Sequence, residues 1–219
     1  MPAIILVETE CSLCGVINAQ EQAGATTTTG LPDLDTRPAE PVRSLLPYRV
    51  QRCPNCGYCA TDIFLEYPGA VHLIRSEPYQ KLLRRRSLPE KARQFLAWAL
   101  IEEAAGEAGG AGWSALHAAW VCDDAEKPLG AIECRRLALE RFTRQRALKG
   151  HILGFEDASL EDLMLADLYR RTGQFKEAEE RARAGLGRQP ADVVCRTLSR
   201  ELELAARSDQ LAHSLEEIE

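Results

Sequence analysis

Two short windows of this chain have the same shape, Cys11-Ser12-Leu13-Cys14-Gly15 and Cys53-Pro54-Asn55-Cys56-Gly57. In each, two cysteines stand two residues apart and a glycine follows the second. That spacing lets a tight turn aim both sulfurs at one point, and glycine accommodates the positive φ at its end. One such pair is a weak signal. Two pairs, each approached by a β-like segment, predict a closed tetrahedral site in which the thiolates of Cys11, Cys14, Cys53 and Cys56 bind one structural zinc ion, with Zn–S distances near roughly 2.3 Å. A module this small has little core, and structural zinc supplies on the order of 10 kcal/mol of binding free energy coupled to folding. Cys59 complicates the ligand set, because Cys56 and Cys59 form an overlapping pair. Proline and glycine frame the Cys53–Cys56 turn and favour that pairing.

Other uses of cysteine fit less well. Eight cysteines could staple a disulfide scaffold, but the chain is long, shows no export signal and groups four of them in the metal spacing. Thiol-disulfide exchange normally uses one pair at a helix start in a βαβ setting, and here two pairs lie in β-rich surroundings. A catalytic zinc needs an open position that four thiolates do not leave. Cys122, Cys134 and Cys195 stand singly in helix-like segments and read as reduced core residues. His72, His117, His151 and His213 are scattered without ligand spacing and read as surface or partly buried side chains.

The expected fold class is α+β, mostly α: a small N-terminal β zinc ribbon over residues 1–66, then an antiparallel helical array over residues 67–219. In the first part, Ala3 to Val7 reads as a strand, Gly30-Leu31-Pro32-Asp33 as a turn, and Leu46, Tyr48 and Val50 alternate toward Cys53. The 38 residues between Cys14 and Cys53 exceed what a minimal ribbon needs, so Gln20 to Val42 reads as an extra loop. From Pro68 the apolar period becomes helical. Leu88, Ala92, Phe95, Leu96 and Ala99 mark one helix that stops near Gly106, Gly109 and Gly110. Ala131, Cys134, Ala138 and Phe142 mark another, stopped by Gly150.

Within the helical part, Leu165-Ala166, Tyr169, Ala178, Ala182 and Pro190 fall at the small and aromatic positions of a tetratricopeptide repeat, with Gly173 at the interhelical turn. Asp162 stands where that repeat usually has tryptophan. A weaker copy runs through Trp113, Leu116, Trp120, Ala131 and Ala138. The two starts are too far apart for direct tandem repeats, so an irregular array is expected. In the better copy, Leu160, Leu163, Asp167, Arg170 and Arg171 would face the concave side and bind a partner protein or peptide, the arginines pairing with carboxylates. The competing reading makes the two leucines ordinary core.

The paired knuckles, the Asp33-Leu34-Asp35-Thr36-Arg37-Pro38 stretch, the block Gln51-Arg52-Cys53-Pro54-Asn55-Cys56-Gly57-Tyr58 and Ala118-Ala119-Trp120-Val121-Cys122-Asp123-Asp124 together resemble the bacterial family called domain of unknown function 2225. The resemblance covers most of the chain and implies a zinc ribbon followed by tetratricopeptide-like helices, with no activity to transfer. It draws attention to Asp33–Pro38, whose carboxylates either cap turns and pair with Arg37 or form a surface recognition loop.

Function is expected to lie in binding. The net charge of −6 gives no general attraction to phosphate or anionic membranes. Residues 1–66 hold four arginines and no lysine against eight acidic side chains. A nucleic-acid role would therefore rest on the basic stretch Lys81 to Arg93, comprising Lys81, Arg84, Arg85, Arg86, Lys91 and Arg93. The sequence offers no nucleophile-base arrangement, phosphate loop or paired catalytic carboxylates, so a non-catalytic adaptor is expected, cytoplasmic because no apolar run suits export or membrane insertion.

Overall fold

A computed structural model describes residues 4–218. The architecture is α+β and mostly α. Two compact units divide the chain: Met1–Thr27 with Pro41–Arg141, and Thr28–Glu40 with Phe142–Glu219. The division does not follow the change from β to helical periodicity near residue 67. Part of the long insertion between the knuckles belongs with the C-terminal helices, and the first helices belong with the ribbon.

In the first unit, β1 (Ile4–Glu10) pairs antiparallel with β2 (Ile17–Ala23), with Val7 opposite Gln20. A second, two-residue hairpin joins β3 (Gln51–Arg52) to β4 (Cys59–Ala60). Each hairpin carries a cysteine pair in its loop. Ala3, expected at the start of β1, lies outside the described residues. The alternation Leu46, Tyr48, Val50 does not make a strand. After the short helix α1 (Val42–Leu45), Leu46–Arg49 forms a 3-10 turn with Pro47 in its first residues, and only Val50 is extended. Proline's fixed φ and missing N–H suit a helical turn and not a paired strand.

The helices of this unit are α2 (Ala70–Leu73), α3 (Glu77–Leu83), α4 (Glu90–Ala104) and α5 (Ala108–Asp124). The next helix, α6 (Pro128–Lys149), contains the unit boundary and stops at Gly150, whose φ is +81°. The expected stripe Leu88, Ala92, Phe95, Leu96 and Ala99 is buried, though Leu88 lies in the turn before α4 and not on it, and Ala131, Cys134, Ala138 and Phe142 are buried as well. Gly106, at φ +86°, does end α4, but Gly109 and Gly110 lie inside α5. A Cβ on Gly110 would run into the Glu102 carboxylate, so glycine there permits close packing of α4 on α5. The Glu102 carboxyl accepts a 2.6 Å bond from Ser114 and is pushed up to about 7 by burial.

In the second unit, α7 (Ala158–Arg171) and α8 (Phe175–Leu186) form a hairpin whose turn uses Gly173 at φ +79°. Helix α9 (Asp192–Ala206) packs on both. Leu163, Ala166, Ala182, Val194 and Leu198 make the core between them, with Leu160, Leu186 and Leu202 against it. The segment Asp33–Pro38 belongs to this unit and is half-buried to buried along its length. Asp35 is buried, accepts the Arg37 amide and forms a 3.0 Å ion pair with Arg171, while Leu34 bonds to the His213 carbonyl. Asp35 thus meets Arg171, which supports the turn-capping and ion-pairing reading of this segment.

Among the described residues, no helix is long and apolar enough to cross a membrane.

Candidate metal centre

The two knuckles fold by the same local bonds. In the first, the Cys11 N–H bonds to the Val16 carbonyl at 3.0 Å and the Gly15 N–H to the Cys11 carbonyl at 2.8 Å. In the second, Cys53 N–H bonds to Tyr58 at 2.8 Å and Gly57 N–H to Cys53 at 3.0 Å. Gly15 and Gly57 take φ of +70° and +79°, as the sequence pattern requires. Backbone N–H groups of Leu13, Val16 and Tyr58 point at the sulfurs of Cys11, Cys14 and Cys56. Such donors disperse negative charge on a thiolate.

These turns bring the four sulfurs of Cys11, Cys14, Cys53 and Cys56 within 4.8 Å of one another. The Sγ atoms of Cys11 and Cys56 lie 3.7 Å apart, and those of Cys14 and Cys53 lie 3.6 Å apart. A tetrahedron with metal–sulfur bonds of about 2.3 Å has edges of about 3.8 Å. The donor set therefore fits one tetrahedral metal ion, and each close approach crosses from one knuckle to the other, so the ion would tie the hairpins together. Burial raises the thiols of Cys11 and Cys56 above the ordinary range. Cys14, half-exposed, is lowered to about 6 by the Asn55 side chain, with the Val16 amide next. A divalent cation reverses that resistance to deprotonation, because binding and loss of the thiol protons are one equilibrium.

The remaining cysteines are elsewhere. Cys59 is fully buried, its Sγ turned to the Gly57 carbonyl at 3.5 Å and its thiol pushed up to about 12 by burial. Cys122 and Cys134 are buried, as expected for core residues. Cys195 is only half-buried, because it sits on the outer side of α9.

Three supporting side chains carried no signal in the sequence. Tyr79 of α3 is buried beside the second knuckle, where its hydroxyl accepts the Cys59 N–H and donates to the Gly57 carbonyl, both at 3.0 Å. The Gln20 amide bridges β2 to β3 through Arg52, donating to its carbonyl at 3.0 Å and accepting its N–H at 3.2 Å. Tyr58 reaches the Leu65 carbonyl at 2.7 Å and so closes the loop after β4.

The residues expected to line a partner groove do not form one. Arg170 is fully buried, bonding to Asp167 at 2.5 Å, to Glu201 at 2.8 Å and to the carbonyls of Asp209 and Leu211, both at 2.9 Å. Arg171 is held by Asp35, and Leu160 and Leu163 belong to the core under α9. The concave face of the helical hairpin is filled by the helix that follows it, and the carboxylates that an incoming peptide would bring are already supplied by the chain.

The basic stretch is divided by structure. Arg85 makes a bidentate pair with Glu133 at 2.5 and 2.6 Å, Arg93 donates to the Leu83 carbonyl, and Lys91 is partly buried over the Tyr48 ring, 5.5 Å from its centroid. Lys81, Arg84 and Arg86 remain exposed. No protein-family model, no curated protein and no solved structure matches this chain.

Proposed function

We propose that this is a non-catalytic adaptor in which Cys11, Cys14, Cys53 and Cys56 hold one structural Zn2+ and the ribbon so formed docks another protein. The observation that carries the metal reading is the sulfur tetrahedron, whose cross-knuckle edges of 3.6 and 3.7 Å match the size of a zinc-thiolate site. With every coordination position taken by sulfur, the ion would fix the fold and leave no position for substrate. A four-sulfur tetrahedron also accepts iron. Zinc is favoured by the limited apolar core of the ribbon, which a redox-inert structural ion complements.

What supports docking is where the exposed apolar side chains lie. Among the described residues, Ile4, Ile5, Leu6, Val16, Ile17, Phe64 and Leu65 account for seven of the twelve large exposed hydrophobics. They fall within the first 66 residues, less than a third of the chain, and concentration on one small module is a mark of a docking surface. The proposed partner surface thus moves from the C-terminal helices to the ribbon.

Elemental analysis of purified protein tests the metal: one zinc equivalent per chain is expected, lost in Cys14→Ser and in Cys56→Ser and kept when Cys122, Cys134 and Cys195 are all changed to alanine. Iron at one equivalent, with its visible absorption, overturns the choice of ion. Capture of the tagged chain from its native cells tests the adaptor. An eluate dominated by nucleic acid, and lost on changing Lys81, Arg84 and Arg86, would replace it.

A further inference from the structure

Strand β1 has one finished edge and one open edge. It belongs to a two-stranded sheet, and among the described residues only β2 pairs with it. The register sets Val7 opposite Gln20 and Thr9 opposite Asn18, and it is continued by the Cys11 N–H bond to Val16 at 3.0 Å. In an antiparallel pair, directly hydrogen-bonded residues alternate with residues whose backbone groups point outward. The odd positions of β1 therefore bond to β2. The amides and carbonyls of Leu6, Glu8 and Glu10 face away, and among the described residues no hydrogen bond reaches them.

The side chains at these positions share one face of the strand, together with Ile4. Leu6 is 72% exposed and Ile4 45%, while Glu8 and Glu10 are exposed with no ion pair among the described residues. The face is thus apolar at one end and acidic at the other. Natural edge strands are usually blunted by charged side chains, proline, a bulge or a covering segment; β1 has neither lysine nor proline in its seven residues, and its charges are the two carboxylates of Glu8 and Glu10, which admit a basic partner. An open edge of this kind can accept an added strand.

We propose that the outer edge of β1 docks an extended segment of a partner protein, which adds antiparallel to β1 and carries the pattern basic-x-basic-x-apolar-x-apolar. Its two basic side chains lie against Glu10 and Glu8, and its two apolar side chains lie against Leu6 and Ile4. A second copy of the chain paired along the whole length of this edge does not satisfy it. Antiparallel self-pairing centred on Val7 sets Ile4 against Glu10 and Leu6 against Glu8, which leaves each carboxylate beside an aliphatic chain. The charges thus select a basic partner and disfavour self-association. This inference rests on the adaptor reading and specifies its surface.

The test uses the zinc-loaded, 15N-labelled full chain and three seven-residue peptides. The first has lysine at its first and third positions, valine at its fifth and seventh, and threonine between. The second has glutamate in place of lysine, and the third is the first with N-methyl groups on the amides that would bond β1. The first peptide is expected to shift the amide signals of Leu6, Glu8 and Glu10, and the second to bind at least about tenfold more weakly through loss of two cross-strand charge pairs. The third should lose binding, because strand addition needs those amides. The Glu8→Lys, Glu10→Lys double variant, with its zinc content unchanged, should reverse the preference between the first two peptides. The proposal is overturned if the lysine peptide leaves β1 unshifted at millimolar concentration, if the N-methylated peptide binds equally well, if the shifts map to Lys81–Arg86, or if sedimentation shows a dimer abolished by Leu6→Lys. A positive peptide result beside a capture that returns nucleic acid alone would sink the adaptor reading and leave the edge site standing.

Discussion

Changing Tyr79 to phenylalanine removes one oxygen atom and touches no metal ligand, yet it should loosen the metal centre. The hydroxyl accepts the Cys59 N–H and donates to the Gly57 carbonyl, both at 3.0 Å, and Tyr79 and Cys59 are fully buried. Deleting it orphans two backbone groups, each at a cost of roughly 1–3 kcal/mol, so the second knuckle should lose about 2–6 kcal/mol. The ring still fills its space, and no cavity term adds. Because zinc binding and folding of a small ribbon are linked, a loss of about 3 kcal/mol appears as apparent zinc affinity weaker by up to about 100-fold. Competition with a chromophoric chelator reads the affinity, and urea unfolding reads the stability. Tyr48→Phe is the control, because no hydrogen bond of the Tyr48 hydroxyl is found among the described residues, and it should change neither. If Tyr79→Phe binds zinc as tightly as the parent and unfolds at the same urea midpoint, the claim that α3 holds the knuckle through this hydroxyl is wrong.

Two further outcomes concern the helices. His117 packs among the rings of Phe95, Trp113 and Trp120, with centroids at 5.3, 6.4 and 5.0 Å, and burial, aided by the Arg49 charge, lowers it to about 3. The unfolded chain takes up this proton below about pH 6.5 while the folded chain refuses it, so stability is full above that pH and falls by about 1.4 kcal/mol per unit as pH drops toward 3. Urea midpoints compared at about pH 7 and about pH 5 should show this slope flattened in His117→Phe; an unchanged slope refutes it. Arg170→Met should destabilise by about 3–5 kcal/mol, because Asp167 and Glu201 are left buried without their cation, and adding Glu201→Gln should restore part of the loss. Thermal unfolding of the single and double variants decides this, and equal melting temperatures for parent and Arg170→Met would exclude it.

The knuckles were legible because each is closed within a few residues. Cysteine spacing and the following glycine specify a turn with no help from distant chain, and the four sulfurs meet as the pattern requires. The stop at Gly150 and the turn at Gly173 are local in the same way. What could not be read depends on partners far along the chain. The Gln20 amide meets Arg52 across 32 residues, and Asp35 meets Arg171 across 136. Nothing near Tyr79 marks it as a knuckle residue, since its own helix is ordinary. Gly109 and Gly110 misled for a related reason: glycine usually weakens a helix, but here the Glu102 carboxylate, bonded to Ser114, lies where a Cβ on Gly110 would be.

The burial of the residues expected to face a partner has a physical cause that also bears on where exposed apolar residues lie. Consecutive arginines near a helix end normally stay in water, since burying a guanidinium needs several acceptors at once. Arg170 finds only Asp167 locally, three residues away; Glu201 and the carbonyls of Asp209 and Leu211 come from chain 31 to 41 residues later. The second unit thus turns polar and apolar side chains alike inward and uses them to join its own helices. The ribbon solves its folding differently. A four-thiolate ion would stabilise it without requiring a sealed apolar sandwich, so β1 can fold while only Thr9 of its seven residues is buried. Stability supplied at the knuckles by such an ion would leave the exposed face of Ile4, Leu6, Glu8 and Glu10 free of structural duty. A surface released in that way would be available to recognise a partner, which is why the proposed docking surface lies on the ribbon and not on the C-terminal helices.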